Sequence, residues 1–347
     1  MKIKALLFIA TLGCTTATFA QEAGSPLQIS GSVDTYYKYD FAKSANINTY
    51  FANEQNSISL GMIDLALKKT TGKASFVGEL SFGPRGQSQS IPNAAGLYDE
   101  ATNSFNIQNL YVSYAFTDKF SMTAGYMGTF IGYEVISPAA NFNYSTSYLF
   151  GSGPFQNAGI KASYAFSDKV SLMAGLFNDW NVYQDFNGVS HVGAQLTISP
   201  VTGWTAYLNV LSGRSAGAAG TGTILDLTTA YQITEQFKLG LNAADYTVSN
   251  DNGGYSGVAL YPQYAFNKAV ALGLRGEYFN YKGVGTAADV SVASLTFSAN
   301  IKSGGLTFIP EVRFDSDKDF SQGFTKTNGI NPAKSASQFS LAAVYAF

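Results

Sequence analysis

Apolar and polar residues alternate along most of this chain, in runs of roughly ten residues that are bounded by turn-forming residues. Residues two apart in an extended strand share a face, so each run predicts a β-strand with one apolar face. We predict an all-β chain of about sixteen strands, with 14 or 18 as alternatives. The candidate strands cover residues 26–40, 56–68, 73–84, 104–116, 119–130, 157–166, 169–179, 189–199, 203–213, 223–232, 237–248, 255–266, 269–281, 289–301, 304–317 and 336–347.

The connections between these runs alternate between short and long. The short connections are 69–72, 117–118, 167–168, 200–202, 233–236, 267–268 and 302–303, and the long ones include 42–55, 84–103, 131–156 and 318–335. This alternation places all short turns at one end of the sheet and all long loops at the other. A transmembrane antiparallel up-and-down β-barrel of a Gram-negative outer membrane has this layout, with short turns and both termini in the periplasm. A β-sandwich or a propeller has no reason to sort its loops in this way.

The tripeptide Tyr-Ala-Phe occurs four times, each time at the end of a candidate strand and, in three copies, directly before a polar turn. The Tyr and Phe of each copy point to the same face, and aromatic side chains favour the interface between membrane and water. We therefore predict a periplasmic aromatic girdle. It consists of Tyr114, Phe116, Tyr164, Phe166, Tyr264, Phe266, Tyr345 and Phe347.

The amino terminus has the features of a secretory signal. Lys2 and Lys4 precede a short apolar stretch over residues 5–12, and residues 18–20 form a plausible cleavage site. We predict a cleaved signal peptide over residues 1–20 and a single outer-membrane β-barrel domain over residues 21–347. Cys14 is the only cysteine, so cleavage would leave a chain without thiols or disulfides. Lipidation of Cys14 is an alternative, although Thr11 fits poorly at the third position before it.

Composition narrows the class of partner. Charged residues make up 13% of the chain, aromatic residues 14%, and the net charge is −2. Nucleic-acid binding calls for a basic face, which this balance argues against, so no nucleic-acid partner is expected. Beyond the signal no segment has the roughly 20 consecutive apolar residues of a transmembrane helix. The expected surroundings are outer-membrane lipid on the outside of the barrel and small solutes within it.

The polar faces of the strands predict the lumen. Its candidate pore-lining charges are Asp34, Lys38, Asp40, Glu79, Lys161, Arg275, Glu277, Glu311, Arg313 and Asp315. Such charges either orient solutes in a narrow channel or form structural ion pairs that hold the strands in register, and both interpretations stay open. In trimeric general porins the third external loop folds inward, and by that analogy Glu134 in loop 131–156 is a further candidate. Residues 58–67 are apolar on both faces except Asp64, which predicts a bulge or a loop packed inside.

Enzymatic function is not expected. The chain has one histidine, His191, and its neighbour Ser190 is expected to face the opposite side of a strand. No cluster of His, Cys or carboxylate residues has the spacing of metal ligands, so neither a metal nor a cofactor is predicted.

The segment ISGSVDTYYKYDF at 29–41, together with the Tyr-Ala-Phe turns, resembles the OmpL-like β-barrel porins of Bacteroidota outer membranes. The resemblance implies an outer-membrane porin that allows passive diffusion of small hydrophilic solutes. The series Phe339, Leu341, Ala343, Tyr345 and Phe347 is similar to the carboxy-terminal signal read by the barrel-assembly machinery, although the usual upstream glycine is absent. The alternative is a blocked barrel with a structural or surface-binding, adhesin-like role. Assembly into a homotrimer is left open.

Overall fold

A computed structural model describes residues 25–47, 50–85, 107–183, 185, 187–327 and 329–347. The predicted signal peptide over residues 1–20 lies outside these residues. Sixteen antiparallel strands form one closed barrel in which each strand pairs with its neighbours in sequence and β16 pairs with β1. The predicted fold class and strand number are therefore confirmed.

The strands lie close to the predicted runs. They are β1 (Gln28–Asp40), β2 (Ser57–Thr71), β3 (Ala74–Phe82), β4 (Ile107–Ala115), β5 (Phe120–Gly128), β6 (Gln156–Ser167), β7 (Val170–Phe177), β8 (His191–Ile198), β9 (Trp204–Gly213), β10 (Gly222–Gln232), β11 (Phe237–Val248), β12 (Asn252–Ala265), β13 (Val270–Val284), β14 (Val290–Ser303), β15 (Leu306–Ser316) and β16 (Ser335–Ala346).

Short turns occupy one end of the barrel and most long connections the other, as the sequence predicted. At the short-turn end, Asn267 holds its turn because its side-chain oxygen accepts hydrogen bonds from the backbone of Ala269 and Val270, at 2.8 and 2.9 Å. At the opposite end the connection over 249–251 is an exception, since it is as short as the turns.

Apolar side chains point away from the barrel axis. On β14, Leu295, Phe297 and Ile301 are exposed by 39%, 48% and 42%, whereas Thr296 and Ser298 between them are buried. This is the reverse of a water-soluble sheet, in which the apolar face would be covered. An apolar band around the outside and polar residues inside are typical of a barrel that spans a lipid bilayer.

The connection between β5 and β6 contains helical structure. It holds a 3₁₀ turn over Pro138–Ala140 and one short helix, α1, over Tyr148–Ser152. None of the helices in the described ranges is long and apolar enough to cross a membrane.

The irregularity predicted for residues 58–67 is present in both of its expected forms. The pairing of β1 with β2 shifts between Val33 and Thr35, which marks a bulge. Inside the barrel, Met62 packs with Phe51, Ile136 and Phe155, which come from two different loops. The inward apolar residue of β2 is therefore explained by loops that enter the lumen.

Candidate functional site

The connection over residues 129–155, here called loop 3, enters the barrel and crosses its lumen. Near its start, the Gly132 backbone N–H donates to Asp226 of β10 at 3.0 Å. Further along, the Tyr144 ring lies 5.6 Å from that of Tyr36 on β1. Since β10 and β1 are far apart around the barrel, loop 3 spans the lumen.

Two wall glutamates hold the backbone of loop 3. Glu311 accepts the N–H groups of Tyr144 and Ser145 at 2.9 and 3.1 Å, and Glu277 accepts those of Tyr148 and Leu149 at 2.9 and 2.8 Å. The second pair of N–H groups belongs to the first turn of α1, where backbone donors lack partners within the helix. Each carboxylate thus satisfies two donors that would otherwise be buried without a partner.

Two buried arginines hold the carbonyls of the same segment. Arg275 donates to the carbonyls of Ser145 and Thr146 and forms an ion pair with Glu134 at 2.8 Å. Arg313 donates to the Thr146 carbonyl at 2.7 Å. The exposed fractions of Arg275 and Arg313 are 0% and 1%, so these charges contact loop 3 and not open water.

Asp315 of β15 is the last acidic residue among the wall charges that contact loop 3. It binds Arg313 in a bidentate arrangement at 2.8 and 2.9 Å, and its carboxylate also accepts the Tyr148 hydroxyl at 2.6 Å. Bidentate pairs of this kind fix orientation as well as charge. The predicted lumen charges of β13 and β15 therefore form one latch, which comprises Arg275, Glu277, Glu311, Arg313 and Asp315.

Other predicted charges anchor the connection between β1 and β2. The Lys38 ammonium donates to the Ile47 carbonyl at 3.0 Å, and Asp40 accepts the backbone N–H groups of Ala42 and Asn46 at 2.9 and 3.2 Å. These contacts draw the segment around residue 47 inward, where Ile47 is fully buried.

Three predicted charges lie elsewhere on the wall. Asp34 accepts the Met62 backbone N–H at 2.8 Å and the Tyr144 hydroxyl of loop 3. Glu79 accepts the Asn109 side-chain amide at 2.6 Å. Lys161 lines a cavity that is described below. Apart from Lys161, the predicted lumen charges are thus occupied by contacts within the protein.

Apolar contacts join loop 3 to one side of the barrel wall. Ile131 and Leu149 of loop 3 belong to one buried cluster with inward residues of the wall from β7 to β14. These wall residues are Met173, Phe177, Leu211, Ile224, Tyr255, Ala259, Tyr261, Phe279 and Val292. The expectation of a polar lumen does not hold at this level, because loop 3 supplies an apolar partner for the wall.

Two wall glycines make room for aromatic rings of loop 3. A Cβ atom on Gly240 would lie within 2.4 Å of the Tyr133 hydroxyl, and one on Gly273 within 2.2 Å of the Phe142 ring. Both distances are shorter than van der Waals contact. The absence of a side chain at these two positions therefore allows loop 3 to approach the wall.

A cavity of about 720 Å³ lies between loop 3 and the short-turn end of the barrel. Gln232, Lys238 and Lys302 on its lining sit at or within a residue or two of short turns. Amide and hydroxyl groups of the wall make up further parts of the lining, among them Gln195, Thr228, Gln263 and Asn300. The volume is in the range of pockets that hold small molecules.

The predicted girdle residues are all exposed on the outside of the barrel, by 43% to 58%. In three copies of the tripeptide the two rings meet edge to face, at centroid distances of 5.0 to 5.1 Å. All copies lie at the short-turn end, since each stands at the end of an even-numbered strand.

The surroundings of His191 differ from the prediction. Ser190 lies before β8, and its hydroxyl is 2.8 Å from His191 Nδ1 and donates to Asp179 at 2.8 Å. The expectation that Ser190 faces away from His191 was wrong, because the alternation of faces applies only within the strand. Among the described residues, no group of three or more His, Cys, Asp or Glu side chains could hold a metal ion.

Sequence reasoning missed several charged residues of the lumen, among them Lys238 and Lys302 of the cavity lining, Arg85 and Asp226. Arg85 donates to the Ile136 carbonyl at 3.0 Å and lies over the Tyr144 ring, 5.1 Å from its centroid. Asp226 accepts the side-chain amides of Asn209 and Asn242 at 2.7 and 2.6 Å. The alternation of β10 could have identified Asp226, whereas Arg85 follows β3 and has no such signal.

Comparisons with known proteins agree with this architecture. The family model described as "Putative beta-barrel porin-2, OmpL-like" matches residues 26–347. No curated protein matches the chain in sequence.

Solved structures of outer-membrane proteins share the fold. The outer membrane channel DcaP of Acinetobacter baumannii superposes with a TM-score of 0.63 at 13% identity, covering 95% of this chain and 100% of that one. The trimer form of OmpT of Vibrio cholerae gives 0.60 at 13% identity, with 94% and 100% covered. An anion-selective porin from Comamonas acidovorans gives 0.61 at 14% identity, with 94% and 100% covered. At such identities the likeness extends to the fold alone.

Proposed function

Because the chain belongs to the OmpL-like family of putative β-barrel porins, we propose that it is a diffusion porin for small hydrophilic solutes. Its closed sixteen-stranded barrel is that of outer-membrane porins. Barrels of about this size are wide enough to contain an aqueous channel. Loop 3 is the element that narrows the lumen.

The cavity of about 720 Å³ below loop 3 is the observation that carries this proposal. It retains polar wall residues and reaches the short-turn end. Above it, loop 3 is fixed by the latch to β13 and β15. Such fixing is typical of a constriction with a defined shape, since a loose loop would not discriminate between solutes.

A second candidate function is a blocked barrel with a structural or surface-binding role. The apolar cluster between loop 3 and the wall favours it, since it leaves no space for water between loop 3 and the residues that it contacts. The two functions differ in whether ions cross the protein in its resting state.

Conductance in a planar lipid bilayer distinguishes them. The purified full-length protein should give stepwise current increases, and a variant in which residues 133–151 are replaced by a short Gly-Ser linker should give larger steps. A variant with Asp315→Asn weakens the latch without a deletion and provides a second measurement if the shortened barrel does not assemble. Absence of steps from the intact protein, with steps from either variant, would favour the blocked barrel.

The family and fold are those of Gram-negative outer-membrane proteins. We place both termini and the short turns in the periplasm, with the eight aromatic residues as the periplasmic girdle in contact with lipid. We further propose a source among Bacteroidota, insertion by the barrel-assembly machinery through β16, and no enzymatic activity. The OmpT trimer form supports a homotrimer as the assembly to test first.

A further inference from the structure

The cavity below loop 3 has an unbalanced set of charges. Its charged lining residues are Lys161, Lys238, Lys302 and Glu134. Glu134 is already paired with Arg275 at 2.8 Å. The three lysines have no ion pair to any residue that the structure describes, so the cavity carries excess positive charge.

Lys161 is the most unusual of the three. Its side chain is only 6% exposed, yet its ammonium makes no hydrogen bond or ion pair within the described parts of the chain. Burying a charge is costly unless it is paired. A buried ammonium that lines a cavity of this size therefore calls for an anion or ordered water at that place.

The lysines lie at two depths. Lys238 and Lys302 are within two residues of short turns, at the mouth of the cavity, whereas Lys161 lies in the middle of β6, closer to loop 3. They also come from three separate strands, so their charges surround the cavity from different sides. This arrangement can attract an anion at the mouth and then hold it deeper in the lumen.

We propose that the cavity is a binding and transit site for small anions, with Lys161 as the inner site and Lys238 and Lys302 as the outer ones. The proposal rests on the diffusion function and specifies its preferred solute class. Phosphate, halide and carboxylate groups share the chemistry that an unpaired ammonium recognises. A lipid-facing role for these lysines does not fit, because their side chains line the interior cavity.

Reversal potentials in a gradient of potassium chloride test the proposal. The full-length protein should pass chloride in preference to potassium, with a contribution of about twofold from each lysine. Lys161→Gln, Lys238→Gln and Lys302→Gln should each reduce the preference, and the triple variant should bring the ratio close to one. Lys268→Gln is the matched control, because Lys268 lies in an exposed short turn at the same end and outside the cavity lining.

A preference for potassium, or a triple variant as selective as the original protein, would overturn the anion site while the diffusion function stands. A protein with no conductance would instead remove the diffusion function. In that case, NMR of ¹³C-dimethylated lysines titrated with sodium phosphate decides on the anion site. The signal of Lys161 is identified by its loss in Lys161→Gln. A saturable shift of this signal supports the anion site, and a shift no larger than that of the Lys268 signal overturns the anion site.

Discussion

The ion pair between Arg275 and Glu134 allows a quantitative test of the latch. Both partners are buried, and Arg275 also holds the carbonyls of Ser145 and Thr146. Arg275→Met leaves the Glu134 carboxylate buried without its cation, which costs about 3–5 kcal/mol for pairs of this kind. Such a loss corresponds to a change of roughly two to four powers of ten in the ratio of docked to released loop 3.

Strand pairing is untouched by Arg275→Met, so the barrel should remain closed while loop 3 leaves the wall. We expect larger and noisier single-channel currents. The free energy of unfolding, measured from the urea dependence of folding into lipid vesicles, should be lower than that of the original protein. The double variant Arg275→Met with Glu134→Gln should recover part of the loss, because it no longer leaves a charge unpaired.

An exposed pair of the same length provides the control. Lys282 and Asp245 are also 2.8 Å apart, but their side chains are exposed by 23% and 55%. Asp245→Asn should cost at most about 1 kcal/mol and leave the currents unchanged. Additivity of Arg275→Met and Glu134→Gln within about 0.5 kcal/mol, with unaltered currents, would refute the coupling that we infer from the structure.

Two further pairs of substitutions test the packing of loop 3 and the lipid-facing surface. Gly273→Ala should displace the Phe142 ring and destabilise the protein by about 1–3 kcal/mol. The control is Gly276→Ala on the same strand, where a Cβ atom meets no atom closer than 3.9 Å and the change should be nearly neutral. Equal urea midpoints for the two variants would contradict the close approach of Phe142 to the wall. Phe297→Arg lies in the middle of β14 and should lower the free energy of unfolding, measured in lipid vesicles, by about 2–4 kcal/mol. Phe266→Arg lies beside a short turn and should lower it by only about 0–1 kcal/mol. The opposite order of the two effects would be incompatible with the proposed girdle.

The strands could be predicted from the sequence because their signal is local. Alternation with a period of two places Arg275 and Glu277 on the inward face and Leu272 and Tyr278 on the outward face, whatever the rest of the chain does. The connection lengths then fix which ends of the strands lie together. Both inferences need only neighbouring residues.

The contacts of the lumen could not be predicted in the same way. Ile224 and Phe279 are apolar and yet point inward, because their partners come from loop 3, which is distant in sequence. Strand alternation also gives the side on which Glu311 lies, but not that the backbone of Tyr144 arrives there. The aromatic residues of loop 3 were the available signal, since so many rings are unusual in a loop exposed to water.

Backbone hydrogen bonds between Gly31 and Phe347, at 3.1 Å in both directions, join β1 to β16. The first strand to be synthesised therefore has no permanent partner on one side until the last one is available. Until then, the backbone groups at both edges of the sheet can pair with other chains. Contacts so far apart in sequence also form slowly. Closure of the barrel is consequently a late event, because it needs both the first and the last strand.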